Sequence, residues 1–211
     1  MARRNVRILL ADDHEIVRQG TRSLLETNEH WTICGEATTG VEAVRLAAAH
    51  KPDVVVMDVT MPEMNGLDAT RAIVAQNDEI EVLILTMHES FQLLLEVLDA
   101  GARGYISKSD LGKELVSGIE SLGKHRPYFS STSRQLLSET ASSDTPPLSS
   151  LSQREATLVR QLAENRTDQQ LAATLNLTVE EAGTARAEVM KKLGLPSLRD
   201  LILYAVRNDL L

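Results

Sequence analysis

The sequence of 211 residues contains a single cysteine, Cys34, and no long apolar run. One cysteine cannot form an internal disulfide bond, and a membrane-spanning helix needs roughly 20 consecutive apolar residues. The first apolar segment follows a basic start but breaks at Asp12, which makes it too short for a signal peptide. These absences predict a cytoplasmic protein that does not enter the membrane.

Short motifs of several enzyme classes are missing as well. The chain has no Walker A, GxGxxG, CxxC or HExxH motif, which argues against nucleotide-hydrolysing, dinucleotide-binding and zinc-dependent proteins. The charge is uneven: residues 1–147 hold 14 lysines and arginines against 22 acids, a net charge of −8, whereas residues 148–211 hold 8 of each. An acidic N-terminal part does not bind nucleic acid by itself.

Apolar runs alternate with amphipathic segments over the first 123 residues. The runs fit buried strands, and the segments between them fit helices. Five such repeats predict a doubly wound, five-stranded parallel sheet of the α/β class. The predicted strands are Val6–Leu10, Thr32–Ala37, Val54–Met57, Val82–Leu85 and Gly104–Ile106.

The composition changes after residue 124. Serines and the pair Pro146-Pro147 predict a flexible linker over residues 125–147. Residues 148–211 have helical periodicity, interrupted at Asn165, at 176–178 and at 194–196, and predict a small domain of four short helices. We therefore expect three segments: a domain over 1–124, the linker 125–147 and a domain over 148–211.

Polar side chains stand at the ends of four of the predicted strands. Parallel strands place their carboxyl ends at one edge of a sheet, where open α/β sheets bind ligands. Three carboxylates at that edge would repel by roughly 4 kcal/mol per pair at 4 Å, and a hard cation such as Mg²⁺ relieves that repulsion. With a hydroxyl and an ammonium, the set suits acceptance of a phosphoryl group. Its members are Asp12, Asp13, Asp58, Thr86 and Lys108.

This constellation resembles the receiver domain of two-component response regulators over residues 5–123. The motifs are Asp12-Asp13, the stretch Met57–Gly66, Leu85-Thr86 and Gly104–Lys108. The resemblance implies that Asp58 accepts the phosphoryl group from a sensor histidine kinase. It also implies a magnesium site made by Asp12, Asp13, Asp58 and the Thr60 carbonyl, phosphoryl contacts from Thr86 and Lys108, and a conformational switch that includes Tyr105.

A haloacid-dehalogenase-type phosphatase is the competing interpretation of the same strand-end residues. Such enzymes carry a second aspartate, the general acid, two residues after the nucleophile. That position is Thr60 in this chain. We therefore expect no enzymatic activity beyond self-phosphorylation and autodephosphorylation at Asp58.

The C-terminal part has the layout of a helix-turn-helix, with capping boxes predicted at Ser152-x-x-Glu155 and Thr178-x-x-Glu181. Its framework resembles the LuxR-type domain of NarL/FixJ response regulators. The helix that reads DNA in that family usually carries Thr-Val-Lys-x-His, whereas residues 181–185 read Glu-Ala-Gly-Thr-Ala. Too few cations remain to neutralise many phosphates. The candidates for DNA contact are Thr184, Arg186, Lys191 and Lys192.

Together the two resemblances predict a response regulator that controls transcription and forms a homodimer when phosphorylated. The exposed part of the last helix, including Tyr204 and Leu211, is a candidate dimer contact. A second hypothesis stays open: a phosphorylation-dependent interaction module, or phosphate sink, whose degenerate C-terminal domain does not bind DNA.

Overall fold

A computed structural model describes residues 5–139, 150–164, 168–208 and 210. The chain forms two compact units, of which one contains the sheet and the other the C-terminal helices. Within the described ranges, no helix is both long enough and apolar enough to cross a bilayer. The middle of the predicted linker, and the predicted helix stop at Asn165, lie outside the described residues.

Six parallel strands form the sheet of the first unit, in the order β2-β1-β3-β4-β5-β6. The strands are β1 (Val6–Ala11), β2 (Trp31–Ala37), β3 (Val54–Asp58), β4 (Glu81–Thr86), β5 (Gly104–Ser107) and β6 (Tyr128–Phe129). The helices between them are α1 (Glu15–Leu25), α2 (Gly40–His50), α3 (Gly66–Gln76), α4 (Phe91–Asp99) and α5 (Leu111–Leu122). The predicted α/β class and parallel sheet are confirmed.

The sheet has one strand more than the five predicted. Strand β6 pairs with Gly104 and Tyr105 of β5, and helix α6 (Ser131–Glu139) follows it. Both elements lie within the stretch predicted to be a flexible linker, so that prediction is wrong for residues 128–139. A two-residue strand is too short to show a period, and its pairing depends on the free edge of β5.

Burial of the central strands follows from their apolar composition. Every residue of β3 and β4 is buried, as expected for parallel strands that are covered on both faces. One core cluster joins apolar residues of β1, β3 and β4 to Leu115, Ile119 and Leu122 of α5. This packing fixes the strands whose carboxyl ends carry the predicted functional residues.

The second unit contains the helices α7 (Gln153–Ala163), α8 (Asp168–Leu175), α9 (Val179–Leu193) and α10 (Leu198–Arg207). Both predicted capping boxes are confirmed, at Ser152 with Glu155 and at Thr178 with Glu181. Asn176 turns the chain between α8 and α9 with a positive φ of 55°. The inward side of α9 consists of Ala182, Val189 and Leu193, as predicted.

The exposed surface predicted for the last helix is wrong at Tyr204. Its side chain is 2% exposed and belongs to the core of the second unit. Residues 201–206 of α10 are all buried, because helical spacing alone does not reveal that several sides of a short helix are covered. Asp209 and Leu211 lie outside the described residues.

Candidate functional site

Asp12 and Asp58 lie side by side at the carboxyl edge of the sheet. Asp58 is the last residue of β3, Asp12 follows β1, and the two strands pair up to the contact of Ala11 with Met57. Each aspartate is only 3% exposed. Two carboxylates with so little solvent contact require a cation between them.

Lys108 provides a cation at that position. Its Nζ lies 2.7 Å from Asp58 Oδ2 and 2.8 Å from Asp12 Oδ2. Burial raises the pKa of Asp58, an effect that the hydrogen bond from Lys108 opposes and the nearby Asp12 reinforces. Burial by itself lowers the pKa of Lys108, but its hydrogen bonds to both carboxylates outweigh that effect and raise it. The ammonium is therefore held in its charged form.

A group of possible metal ligands surrounds the two buried aspartates. The ligand atoms of Asp12, Asp13, His14 and Asp58 lie within 4.8 Å of one another. His14 Nδ1 is 2.7 Å from Asp13 Oδ1, and the His14 amide donates a 2.8 Å hydrogen bond to Asp12 Oδ1. Three carboxylates with exposed outer members match the oxygen-rich donor set of a divalent cation site.

His14 is not among the residues predicted for this site. Its only signal was the position directly after Asp12-Asp13, and a single histidine at a strand end is not specific. Arg18 was missed as well, although its Nη1 donates to the Asp12 carbonyl at 2.9 Å and its Nε to Glu36 Oε2 at 2.8 Å. These bonds tie the loop after β1 to the neighbouring strand β2.

The seven-residue loop Val59–Asn65 follows Asp58 and contains Thr60. A backbone hydrogen bond from Thr60 stabilises the charged form of Asp58 and so opposes the rise of its pKa. Helix α3 then begins at Gly66, where a Cβ atom would lie 1.9 Å from the Asp58 carbonyl oxygen. Only glycine permits α3 to start this close to the aspartate.

Thr86 and Tyr105 make hydrogen bonds to one backbone carbonyl. Thr86 is the last residue of β4, and its Oγ1 donates to the His88 oxygen at 3.0 Å. The Tyr105 hydroxyl donates to the same oxygen at 3.5 Å. The Tyr105 side chain is fully buried, and burial raises its pKa to about 12. The two side chains are thus coupled through the loop that follows β4.

The four predicted DNA contacts lie on α9, but two of them are engaged elsewhere in the domain. Arg186 pairs with Asp168 at 3.1 Å, and Lys192 pairs with Glu155 at 2.7 Å. The Thr184 hydroxyl donates to the Glu180 carbonyl within the helix. Lys191 is exposed. The structure places all four on α9.

Comparison with known proteins assigns both units to families. Residues 8–120 match the family model of the response regulator receiver domain, and residues 149–205 match that of the luxR family of bacterial regulatory proteins. The chain is a two-component response regulator. It is similar to the response regulator UvrY of Escherichia coli strain K12, with 34% identity over 208 residues that cover 97% of this chain and 95% of UvrY.

Two solved structures extend the assignment of this response regulator. A LuxR-family response regulator from an Aurantimonas species is 40% identical, with a TM-score of 0.62 over 64% of this chain and 96% of its own. A structure of two RcsB dimers bound to two parallel DNAs is 25% identical, with a TM-score of 0.58 over 96% of this chain and 98% of that one. The chain thus combines a receiver domain with a LuxR-type DNA-binding domain.

Proposed function

We propose that Asp58 accepts a phosphoryl group from a sensor histidine kinase. The observation that carries this proposal is the buried pair Asp12 and Asp58, joined by Lys108 at 2.8 and 2.7 Å at the carboxyl edge of the sheet. A carboxylate that is buried yet kept beside an ammonium can act as a nucleophile toward phosphorus. The chemistry of the chain is limited to gain and loss of this group.

The transfer step uses one carboxylate oxygen of Asp58 as the nucleophile. That oxygen attacks the phosphorus of a phosphohistidine, the P–O bond forms as the P–N bond breaks, and the imidazole leaves. The Lys108 ammonium then pairs with the new phosphoryl oxygens. The Thr86 hydroxyl exchanges the His88 carbonyl for a phosphoryl oxygen. Tyr105 donates to the same carbonyl, so the departure of the Thr86 hydroxyl changes the contact on which Tyr105 depends.

The donor set fits Mg²⁺. Asp12, Asp13 and Asp58, together with the Thr60 carbonyl, would hold the ion through oxygen atoms alone, which is the ligand type that Mg²⁺ prefers. When bound, the ion neutralises charge that builds up between the carboxylates and the phosphoryl oxygens. The proximity of the three carboxylates in this structure supports the assignment.

Intact-mass spectrometry after treatment with acetyl phosphate tests the proposal. We expect the mass of one phosphoryl group on the wild type with Mg²⁺ present, and none after chelation with EDTA. Asp58→Asn should abolish the gain, whereas the exposed Asp78→Asn should retain it. A phosphoryl group that still attaches to Asp58→Asn, or that attaches equally well in EDTA, would refute the assignment.

For the output, we propose that phosphorylation promotes a homodimer that binds DNA through α9. The RcsB structure contains dimers on DNA, and a dimer doubles a weak individual contact. The cations of α9 are Lys191, which is exposed, and Arg186 and Lys192, which each pair with an acid of the domain. Thr184 is an uncharged contact. This small number of cations predicts a shallow dependence of DNA affinity on salt.

Selection of random genomic DNA fragments on the beryllofluoride-treated protein tests this output. Enrichment of a recurring site with two-fold symmetry on the wild type, and its loss in Asp58→Ala, would support regulation of transcription. No enrichment with phosphorylation at Asp58 confirmed by mass would contradict it. That result would favour the second candidate, a phosphorylation-dependent interaction module.

A further inference from the structure

The C-terminal domain has a groove beside its reader helix. The groove has a volume of about 630 Å³ and lies between α7, the end of α8 and residues 180–189 of α9. That volume falls within the range of about 300–1,000 Å³ that is typical of ligand sites. Its floor is apolar and consists of Leu158, Leu175, Leu177, Ala185 and Val189.

The rim of this groove is strongly acidic. Four carboxylates and one guanidinium line it, from Glu155, Glu180, Glu181, Glu188 and Arg154. The cations of α9, which are Arg186, Lys191 and Lys192, do not line it. On α9 the acids Glu180, Glu181 and Glu188 line the groove, whereas Lys191 and Lys192 lie beyond it in the last turn of the helix.

Two of the rim carboxylates already have structural partners. Glu181 accepts hydrogen bonds from the Thr178 backbone and hydroxyl, and Glu155 pairs with Lys192. In the described part of the chain, no ion pair includes Glu180 or Glu188. Both are exposed, so these two carboxylates are free to pair with cations from another molecule.

The spacing of Glu180 and Glu188 defines the shape of that molecule. They lie eight residues apart on α9, which corresponds to about 12 Å along the helix axis at 1.5 Å per residue. A polyanion such as DNA is repelled by this rim. A small amine would reach only one of the two carboxylates, whereas a helix with cations two turns apart reaches both and places apolar side chains on the floor.

We propose that this acidic groove binds a basic amphipathic helix of a partner protein. Leucine-like side chains of the partner fill the apolar floor, while two lysines or arginines pair with Glu180 and Glu188. Complementary charge at the rim selects basic partners and speeds their association. This function goes beyond DNA binding and does not depend on phosphorylation of Asp58.

A designed helix provides the probe. A fluorescein-labelled 18-residue peptide would carry a leucine face at i, i+3, i+4 and i+7 spacing, with two lysines two turns apart at the border of that face. Its affinity for the full-length protein would be measured by fluorescence anisotropy. A scrambled peptide of the same composition controls for general attraction between a cation and an acidic protein.

We expect the double variant Glu180→Gln/Glu188→Gln to bind the helix about tenfold more weakly, since two charge-assisted contacts are lost. The matched pair Asp78→Asn/Glu79→Gln removes two acids from the receiver domain and should leave the affinity unchanged. Leu177→Ala, at the half-buried part of the floor, should weaken binding without a change in charge.

Three results with the peptides would overturn the proposal. The first is no binding of the helix, the second is equal binding of the scrambled peptide, and the third is an equal loss in both double variants. Random genomic DNA serves as a second probe. If Glu180→Gln/Glu188→Gln gains affinity for DNA but keeps its affinity for the helix, the acids act only to exclude DNA and the groove is not a partner site.

Discussion

Glu89 Oε1 accepts a hydrogen bond from Ser133 Oγ at 3.1 Å, which joins the loop after β4 to the first turn of α6. Ser130 Oγ lies 3.4 Å from the same carboxylate oxygen and 2.8 Å from Ser133 Oγ. Both serines are buried, at 3% and 0% exposure. Thr86 is only three residues before Glu89, so this network connects the receiver site to the helix that leaves the receiver domain.

We expect Glu89→Ala to lower the free energy of unfolding of the receiver domain. Ser130 and Ser133 carry two hydroxyl protons, and a hydrogen bond between the two hydroxyls uses only one of them. The substitution therefore leaves one buried donor without an acceptor, at a cost of about 1–3 kcal/mol. Urea unfolding followed by the fluorescence of Trp31, the single tryptophan, measures the change. Glu79→Ala, on an exposed turn, is the control, and equal stability of the two variants would contradict the role of Glu89.

Thr86→Ala should accept a phosphoryl group yet fail to change its dimerisation. The variant keeps Asp58 and Lys108 but lacks the hydroxyl that exchanges the His88 carbonyl for the phosphoryl group. Intact mass reports the modification, and sedimentation velocity with and without beryllofluoride reports the dimer. Thr27→Ala, away from the site, should behave as the wild type. A normal increase in dimer on Thr86→Ala would rule out this switch.

Gly66→Ala should impair phosphorylation of Asp58. The added Cβ would lie 1.9 Å from the Asp58 carbonyl oxygen, so the start of α3 or the aspartate must move. The rate of phosphorylation by acetyl phosphate measures the effect. Gly112→Ala provides a matched control, because nothing lies within 4 Å of its Cβ. Gly112 is the second residue of α5, so this substitution should leave the rate of phosphorylation unchanged. Equal rates in both variants would show that the close approach at Gly66 is unimportant.

The ion pair of Glu155 with Lys192 makes part of the stability of the C-terminal domain dependent on pH. The hydrogen bond from Lys192, followed by those from Ser152, lowers the pKa of Glu155 from 4.5 to about 2. Because the folded pKa is the lower one, the stabilisation is complete above pH 4.5 and is lost as the pH falls through about 2.

An NMR titration of the Glu155 carboxyl carbon tests this prediction. Lys192→Met should raise the pKa of Glu155 toward 4.5, since its first and largest cause of lowering is removed. Lys191→Met changes the neighbouring exposed lysine and should leave that pKa near 2. An unchanged pKa in Lys192→Met would mean that the capping box alone holds the carboxylate in its charged form.

The sequence was sufficient to predict features that depend on neighbouring residues in the chain. The four apolar residues before Asp58 predict a buried strand, and a parallel sheet brings the ends of β1 and β3 to one edge. Asp12 and Asp58 therefore meet as predicted. The capping boxes at Ser152 and Thr178 were also predictable, because their hydrogen bonds join residues three positions apart.

Other features depend on contacts between residues that are distant in the chain. Strand β6 has only two residues, which is too few to show the alternation of a strand. It forms because the edge of β5 is free. The position of Tyr204 in the helical pattern predicts an exposed side chain. Neighbours from other parts of the domain bury it, and the pattern does not reveal them. Glu89 and Ser133 are 44 positions apart, and no local pattern relates them.

The sequence by itself determined the α/β class, the helical C-terminal domain and the aspartates, threonine and lysine of the receiver, because strand ends and helix caps are encoded by neighbouring residues. Only the tertiary structure decided that Lys108 bridges Asp12 and Asp58, that Thr86 and Tyr105 share the His88 carbonyl, and that the carboxylates of α9 border an apolar groove. Those relationships arise from packing between separate elements, whose distances and burial are set by the whole fold.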